Sequence, residues 1–115
     1  MILYEYPKCS TCQKSKKYLE LKSIPFKTRN IVEEKLSIEE ISNIIEKSHK
    51  DINKFFNTSG IKYRELDLKN KLPLMSYEEK LKILSSDGML IKRPILELSN
   101  DILIGFKEKE WETKL

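Results

Sequence analysis

The order of hydrophobic and polar positions predicts a strand, a helix and a second strand at the start of the chain. A short apolar run, Met1–Glu5, ends just before Pro7 and is typical of a strand that enters a loop. Ser10–Lys22 contains helix-forming residues without Gly or Pro, and Phe26–Arg29 follows as a short strand. Because the intervening helix has the length of a crossover connection, we expect a βαβ unit with parallel strands.

The segment that follows has the period of an amphipathic helix. Isoleucines recur at helical spacing within Ile38–Lys47, and Ser37 followed three residues later by Glu40 is a capping box. Asp51 is a suitable N-cap for a shorter helix over Ile52–Phe56. We therefore predict two consecutive helices after the second strand.

The next stretch is less regular. Asn57–Gly60 is a stop signal, with Gly60 at a helix end or turn, and Ile61–Leu72 is polar-rich without a clear period, so we expect irregular structure there. Ser76 and Glu79 then repeat the capping box and predict a helix over Tyr77–Ser85.

The end of the chain predicts a hairpin and a final helix. Ile95–Leu98 and Ile102–Gly105 are short apolar runs separated by polar turn residues, which favours antiparallel pairing. Lys107–Leu115 indicates a helix anchored by Phe106 and Trp111. We expect one α/β domain over residues 1–115, with a mixed sheet of about four strands and a helical insertion at about 37–85.

Composition narrows the class of protein. The chain has 115 residues, of which 39% are hydrophobic and 35% charged, as in a soluble single domain. No run approaches the roughly 18 apolar residues that span a bilayer, and the start lacks a signal-peptide pattern, so we expect a cytoplasmic monomer without membrane contacts. The net charge of +4 is spread among alternating lysines and glutamates, which predicts no direct nucleic-acid interface.

Both cysteines, Cys9 and Cys12, lie in the segment YPKCSTCQKSKKYLE. A structural zinc site takes four ligands, whereas the chain adds only His49, which we expect on the surface, so no metal site is predicted. Two ordinary buried cysteines are one alternative. A redox pair is the other, because a CxxC near a βαβ pattern is typical of thiol chemistry.

The redox hypothesis has a physical basis at the start of the first helix. Free N–H groups and the helix dipole favour a thiolate at Cys9, and Lys8 should add to this effect. Cys12 is spaced to attack an adduct on Cys9 and release it. We therefore expect Cys9 to be the nucleophile and Cys12 the resolving thiol, with backbone N–H groups of Ser10 and Thr11 available to an incoming anion.

Four segments resemble one known family: YPKCSTCQKSKKYLE, NTSGIKYREL, IKRPIL and ILIGFKEKEW. Together they are similar to the arsenate reductase (ArsC)-like branch of the thioredoxin-fold proteins, which includes the Spx-type redox regulators of Gram-positive bacteria. The resemblance implies a thioredoxin-like sheet with a helical subdomain inserted after the second strand. It also implies a cis peptide bond before Pro94, with the Arg93–Pro94 backbone beside the cysteine loop.

The resemblance further implies that Arg64 and Arg93 bind an oxyanion, since a guanidinium fork suits tetrahedral anions and carboxylates. Arg64 pairing with a carboxylate of the inserted helices, and Arg93 as a surface residue at a turn, are the alternatives. Glutaredoxin-coupled arsenate reductases have serine at the place of Cys12 and a third arginine near the last strands, where this chain offers only Lys107. These departures point to the short, CxxC-bearing members.

Two functions follow as hypotheses. One is a cytosolic thiol-disulfide oxidoreductase that reduces arsenate or a protein or glutathione mixed disulfide. It would need no bound cofactor but an external thiol reductant: glutathione, glutaredoxin or thioredoxin. The other is an Spx-like regulator in which the cysteine pair is a redox switch and the partner is the RNA polymerase α subunit. A family fold without activity is a third alternative.

Overall fold

A computed structural model describes residues 1–115, and its centre is a four-stranded mixed sheet. The strands are β1 (Ile2–Glu5), β2 (Lys27–Asn30), β3 (Ile95–Glu97) and β4 (Ile102–Ile104), in the spatial order β2-β1-β3-β4. β1 and β2 are parallel, whereas β3 is antiparallel to both β1 and β4. The structure confirms the predicted α/β class and strand directions, with β2 beginning one residue later than expected.

One face of the sheet is covered by two helices, α1 (Ser10–Leu21) and α6 (Glu108–Lys114). Leu3, Leu96 and Leu103 are neighbours in register across three strands and form the sheet side of this layer. Trp111 of α6 is completely buried against them, and its indole N–H donates to the carbonyl oxygen of Gly105 at 3.2 Å. The C-terminal helix is therefore fixed to the sheet by its predicted anchor.

The opposite face is covered by the helical insertion, whose main helices are α2 (Ile38–Ser48) and α5 (Tyr77–Ser86). Both predicted capping boxes are formed, at Ser37 and at Ser76. The buried isoleucines of α2 and leucines of α5 pack on Tyr4, Ile95 and Ile104 of the sheet in one continuous core. Their helical periodicity is the reason that this half of the insertion could be predicted.

The expectation of irregular structure over Ile61–Leu72 is wrong. This stretch forms α3 (Ile61–Glu65) and α4 (Leu68–Lys71), and a 3-10 turn follows at Leu72–Leu74. α3 buries no side chain, so it carries no apolar period that could reveal it. Two further 3-10 turns, Ile52–Phe55 and Gly88–Leu90, complete the block between β2 and β3.

Gly88 allows the chain to return from this block to the sheet. A Cβ atom at this position would lie 2.2 Å from the carbonyl oxygen of Ile31, so no other residue fits without a backbone shift. The following loop contains the cis peptide bond between Arg93 and Pro94, as the family resemblance implied. None of the helices is long and apolar enough to cross a membrane.

Candidate functional site

Cys9 is the N-cap residue of α1, with extended backbone angles (φ −83°, ψ 121°). Its N–H donates to the carbonyl oxygen of Tyr6 at 2.9 Å, and its own carbonyl accepts the first helical hydrogen bond from Gln13 at 3.1 Å. The sulfur is partly exposed, whereas Cys12, in the first turn, is completely buried. Both thiols are free, so the structure describes the reduced pair at the predicted junction of strand and helix.

The surroundings of Cys9 favour its thiolate. Partial burial raises the pKa, but it is outweighed by the backbone N–H and the thiol of Cys12, the positive charge of Arg93 and the backbone N–H of Thr11. The net effect is a pKa below the usual value for cysteine. An ionised sulfur is a stronger hydrogen-bond acceptor than a neutral thiol, so these donors favour the thiolate.

Cys12 has the opposite electrostatics. Burial raises its pKa, the backbone of Tyr6 partly offsets this, and the Cys9 sulfur raises it again because Cys12 is the hydrogen-bond donor of the pair and two adjacent anions would repel each other. Cys9 is therefore the more easily ionised of the two thiols, and Cys12 the one that retains its proton more strongly. The roles of nucleophile and resolving thiol stay predictions.

Arg93 supplies the positive charge that lowers the pKa of Cys9, whereas the exposed Lys8, which we expected to add to the effect, is not among the causes of the shift. Its Nη1 donates to the carbonyl oxygens of Gly88 at 3.0 Å and Ile91 at 3.1 Å, and its guanidinium lies 5.7 Å from the centre of the Tyr6 ring. The buried Nε makes no hydrogen bond within the protein. Arg93 is therefore held in place by backbone carbonyl groups, while the Nε atom of its guanidinium group has no hydrogen-bond partner in the protein.

A cleft of about 330 Å³ opens at the Cys9 sulfur. Thr11 and Arg93 line it together with two residues that the sequence did not single out as site residues, Asn57 and Lys92; the remaining lining residues are Gly105, Phe106 and Lys107. We name it the cysteine cleft. Lys107, the cation that the family resemblance offered in place of a third arginine, also lies in it.

Asn57 reaches the cleft because its backbone is paired with the loop that precedes β3. Its N–H donates to the carbonyl oxygen of Leu90 at 2.8 Å, and its side-chain amide donates to that of Met89 at 3.3 Å. In the sequence, Asn57 had been interpreted only as part of a stop signal. Asn57 is, however, the first residue of NTSGIKYREL, one of the four segments that carry the family resemblance. That position could have indicated a role at the site.

The other predicted site residues are distributed differently. Ser10 is exposed and does not line the cysteine cleft, and its part in anion binding stays a prediction. Pro94 is buried and does not line the cleft, but its carbonyl oxygen accepts from the N–H of Gly105, a lining residue, at 2.7 Å. Arg64 is exposed on α3 and lines a separate depression with Asp67, so the structure does not bring it to Cys9.

The alternative role of Arg64 also finds no support, because none of the four ion pairs includes it. The arginine that pairs with a carboxylate of the insertion is Arg29, which contacts Glu40. His49 is an exposed residue at the end of α2, as expected.

Comparison with known proteins identifies the family of the chain. The model of the ArsC family matches residues 4–114. The chain is 50% identical to the uncharacterized protein YusI of Bacillus subtilis, over 97% of this chain and 95% of YusI. It is 31% identical to the global transcriptional regulator Spx of Enterococcus faecalis, over 96% of this chain and 82% of that regulator.

A solved structure shows the same fold. The crystal structure of a possible arsenate reductase from Streptococcus mutans superposes with a TM-score of 0.88 at 40% identity, over 99% of this chain and 97% of that one. The family match, the full-length relatives and the superposition all cover the cysteine pair and the Arg93–Pro94 loop. The chain belongs to the ArsC family.

Proposed function

We propose that this protein is a thiol-disulfide oxidoreductase in which Cys9 is the nucleophile and Cys12 the resolving thiol. The observation that carries the proposal is the opposite electrostatics of the two sulfurs. Cys9 is partly exposed in a cleft and its pKa is lowered, whereas Cys12 is buried and its pKa is raised. In a pair of this kind, the more easily ionised sulfur attacks the substrate first. The other sulfur reacts only after the adduct on the first has formed.

The first step is the attack of the Cys9 thiolate on one sulfur of a substrate disulfide. A bond forms between Cys9 and that sulfur, and the other substrate sulfur leaves as a thiolate. Cys9 then no longer carries the negative charge that opposes ionisation of Cys12. Cys12 loses its proton and attacks the Cys9 sulfur, which releases the second substrate thiolate. The substrate gains two electrons, and the protein retains a Cys9–Cys12 disulfide.

An external thiol must return the protein to its reduced state. Glutathione, glutaredoxin or thioredoxin would supply the two electrons by the same exchange in reverse, and the cycle needs no bound cofactor. The partly exposed Cys9 is the sulfur that such a reductant would attack. We expect this cycle to run in a monomer in the cytoplasm, where thiol reductants are abundant.

We favour a disulfide substrate over arsenate. The two arginines expected to hold the oxyanion are not gathered at Cys9, because Arg64 lines a different depression. Lys92 and Lys107 lie in the cleft instead, and lysine is a point charge that cannot form a bidentate fork. A mixed disulfide needs no such fork, only access to the Cys9 sulfur.

The test is turnover of the purified protein. Mixed disulfides of glutathione and of a model protein, and separately arsenate, are supplied with each thiol system, and NADPH consumption through the matching reductase is followed. We expect reduction of a mixed disulfide to depend on Cys9 and to fall to background in Cys9→Ser. If no disulfide is reduced above that background, the proposed activity is wrong; if arsenate is the better substrate, the substrate assignment is wrong.

A regulatory function is the second candidate, favoured by relatives that are named global transcriptional regulators and match nearly the whole chain. The same cysteine pair would then be a redox switch, and the partner would be the RNA polymerase α subunit. A pull-down with that subunit, under reducing and oxidising conditions, separates the two functions. Binding that depends on the Cys9–Cys12 redox state supports the regulator, and no binding in either state removes it.

A further inference from the structure

A second cleft, of about 410 Å³, adjoins the cysteine cleft and is strongly positive. Four lysines line it, and Glu110 is the one acidic residue among the lining residues; the lysines are Lys50, Lys54, Lys92 and Lys107. We name it the lysine cleft. Lys92 and Lys107 line both clefts, so an occupant of one can continue into the other.

The four lysines are available to a ligand. None takes part in the ion pairs of the chain, which use Lys16, Lys47, Lys114 and an arginine. Lys50 donates to the carbonyl oxygen of Ile102 at 3.3 Å and so keeps its charge at the wall of the cleft. Clustered cations outside ion pairs repel one another, and an anionic ligand reduces that repulsion.

The shape of the site indicates the class of ligand. Each cleft alone lies in the lower part of the range for a drug-sized ligand, roughly 300–1,000 Å³, so an occupant of both is longer than a small disulfide. The cations are flexible lysine ammonium groups, point charges that can bind anionic groups at varied positions, whereas a single anion held in one fixed geometry is better matched by an arginine fork. These features favour an extended chain with several carboxylates.

We propose that the lysine cleft binds an acidic polypeptide segment next to the reactive cysteine of a partner protein and presents that cysteine to Cys9. This inference rests on the proposed function and adds the substrate class: protein disulfides flanked by Asp and Glu. The covalent step is unchanged. The partner's disulfide is the oxidant, Cys9 forms the mixed disulfide, and one partner sulfur leaves as a thiolate.

The first experiment compares three peptide probes that carry one cysteine activated as a 2-thiopyridyl disulfide. The residues flanking that cysteine are Asp and Glu in the first probe, Asn and Gln in the second, and Lys in the third. Release of thiopyridone gives the rate constant for attack by Cys9. We expect the acidic probe to react about tenfold faster than the amide probe at low salt, and this advantage to fall as salt is added.

Matched variants test whether the preference for the acidic probe arises in the lysine cleft. Lys50 and Lys54 line the lysine cleft but not the cysteine cleft, so Lys50→Gln with Lys54→Gln should reduce the acidic preference to about twofold or less. Lys27→Gln with Lys82→Gln removes the same charge from exposed positions that line neither cleft and should keep the preference. Equal rates for acidic and amide probes, or a preference that survives the first pair of substitutions, would overturn the proposal.

A second arm separates this proposal from the proposed function. An acidic probe with serine in place of cysteine is tested for binding by fluorescence anisotropy, beside single-stranded DNA of equal charge, and glutathione disulfide is tested as a reactant. If the serine probe binds but no activated probe reacts, the cleft assignment stands and the oxidoreductase proposal fails. Tighter binding of DNA than of the serine probe, or equal reactivity of glutathione disulfide with the same lysine dependence, overturns the polypeptide assignment.

Discussion

The side chain of Arg93 is hydrogen-bonded to Gly88: its Nη1 donates to the carbonyl oxygen of that glycine at 3.0 Å. Gly88 is itself fixed, because its backbone is closely packed against Ile31, the residue that follows β2. The charge that stabilises the Cys9 thiolate is thus positioned by a contact between the inserted block and the sheet. Substitutions at positions remote from the cysteines in the sequence, such as Gly88, should therefore change the pKa of Cys9.

Replacing Arg93 with glutamine should raise the pKa of Cys9, because the largest charge effect that favours the thiolate is lost. At neutral pH the rate of alkylation of Cys9 by iodoacetamide should fall by roughly threefold or more. The pH profile of that rate, with the modified residue identified by mass spectrometry, measures the shift. Lys82→Gln, an exposed charge change on α5, is the control; equal profiles for all three proteins would contradict the assignment.

Cys12 should influence the ionisation of Cys9 through its thiol proton. Cys12→Ala removes that donor and should raise the pKa of Cys9, whereas Cys12→Ser retains a hydroxyl donor and should keep it closer to the wild-type value. Ultraviolet absorbance of the thiolate against pH measures both variants. Identical titrations of the alanine and serine variants would show that the pair is not hydrogen bonded as described.

Gly88→Ala should destabilise the protein by about 2–3 kcal/mol, since the added Cβ would lie 2.2 Å from the carbonyl oxygen of Ile31. It should also raise the pKa of Cys9, because the backbone shift would displace the acceptor of Arg93. Urea unfolding and the alkylation profile measure the two effects. Ser86→Ala, at an exposed neighbouring position, should change stability by no more than about 0.5 kcal/mol.

Glu97 should make stability depend on pH. Burial opposes its charge, but the hydroxyl of Tyr4, at 2.6 Å, and the ammonium of Lys47, at 2.9 Å, outweigh burial and hold the pKa of Glu97 below its usual value. A depressed folded-state pKa stabilises the protein above the unfolded value of about 4.3, and this contribution is lost as pH falls through the lower, folded-state pKa.

The measurement is urea unfolding of the wild type and Glu97→Gln across that range. Glu97→Gln should cost about 1 kcal/mol at pH 7, and the difference between the two proteins should shrink as the medium becomes more acidic. Tyr4→Phe removes one donor and leaves the ion pair, so its effect should be smaller. A difference that is constant with pH would show that the Glu97 charge is not the source.

The sequence was most informative where a pattern has a physical cause that acts locally. The isoleucines of α2 and the two capping boxes predicted their helices because burial and N–H capping impose those residue types. Cys9 and Cys12 could be placed at the start of α1 because a run of helix-forming residues without Gly or Pro begins directly after the first strand and Pro7. Short helices such as α3, which buries nothing, leave no such pattern.

The composition of the cleft could not be predicted from local patterns because it is assembled across the fold. Asn57, Lys92 and Lys107 are far apart in the chain and meet only because the insertion, the β3 loop and the end of β4 converge at the N-terminus of α1. The family resemblance implied the cis bond before Pro94, which the structure contains, and it singled out Arg93, which lines the cleft with Cys9. It also suggested Arg64, which the structure places in another depression.

The redox equilibrium of the cysteine pair tests the central claim most directly. The wild-type protein is equilibrated with glutathione buffers of increasing oxidation, quenched with acid, and its thiols are counted by alkylation and mass spectrometry. We predict a single two-electron transition from the dithiol to an intramolecular Cys9–Cys12 disulfide, fully reversed by added thiol. A protein that keeps both thiols in the most oxidising buffer, or that accumulates a stable glutathione adduct on Cys9 without forming the disulfide, would contradict the account.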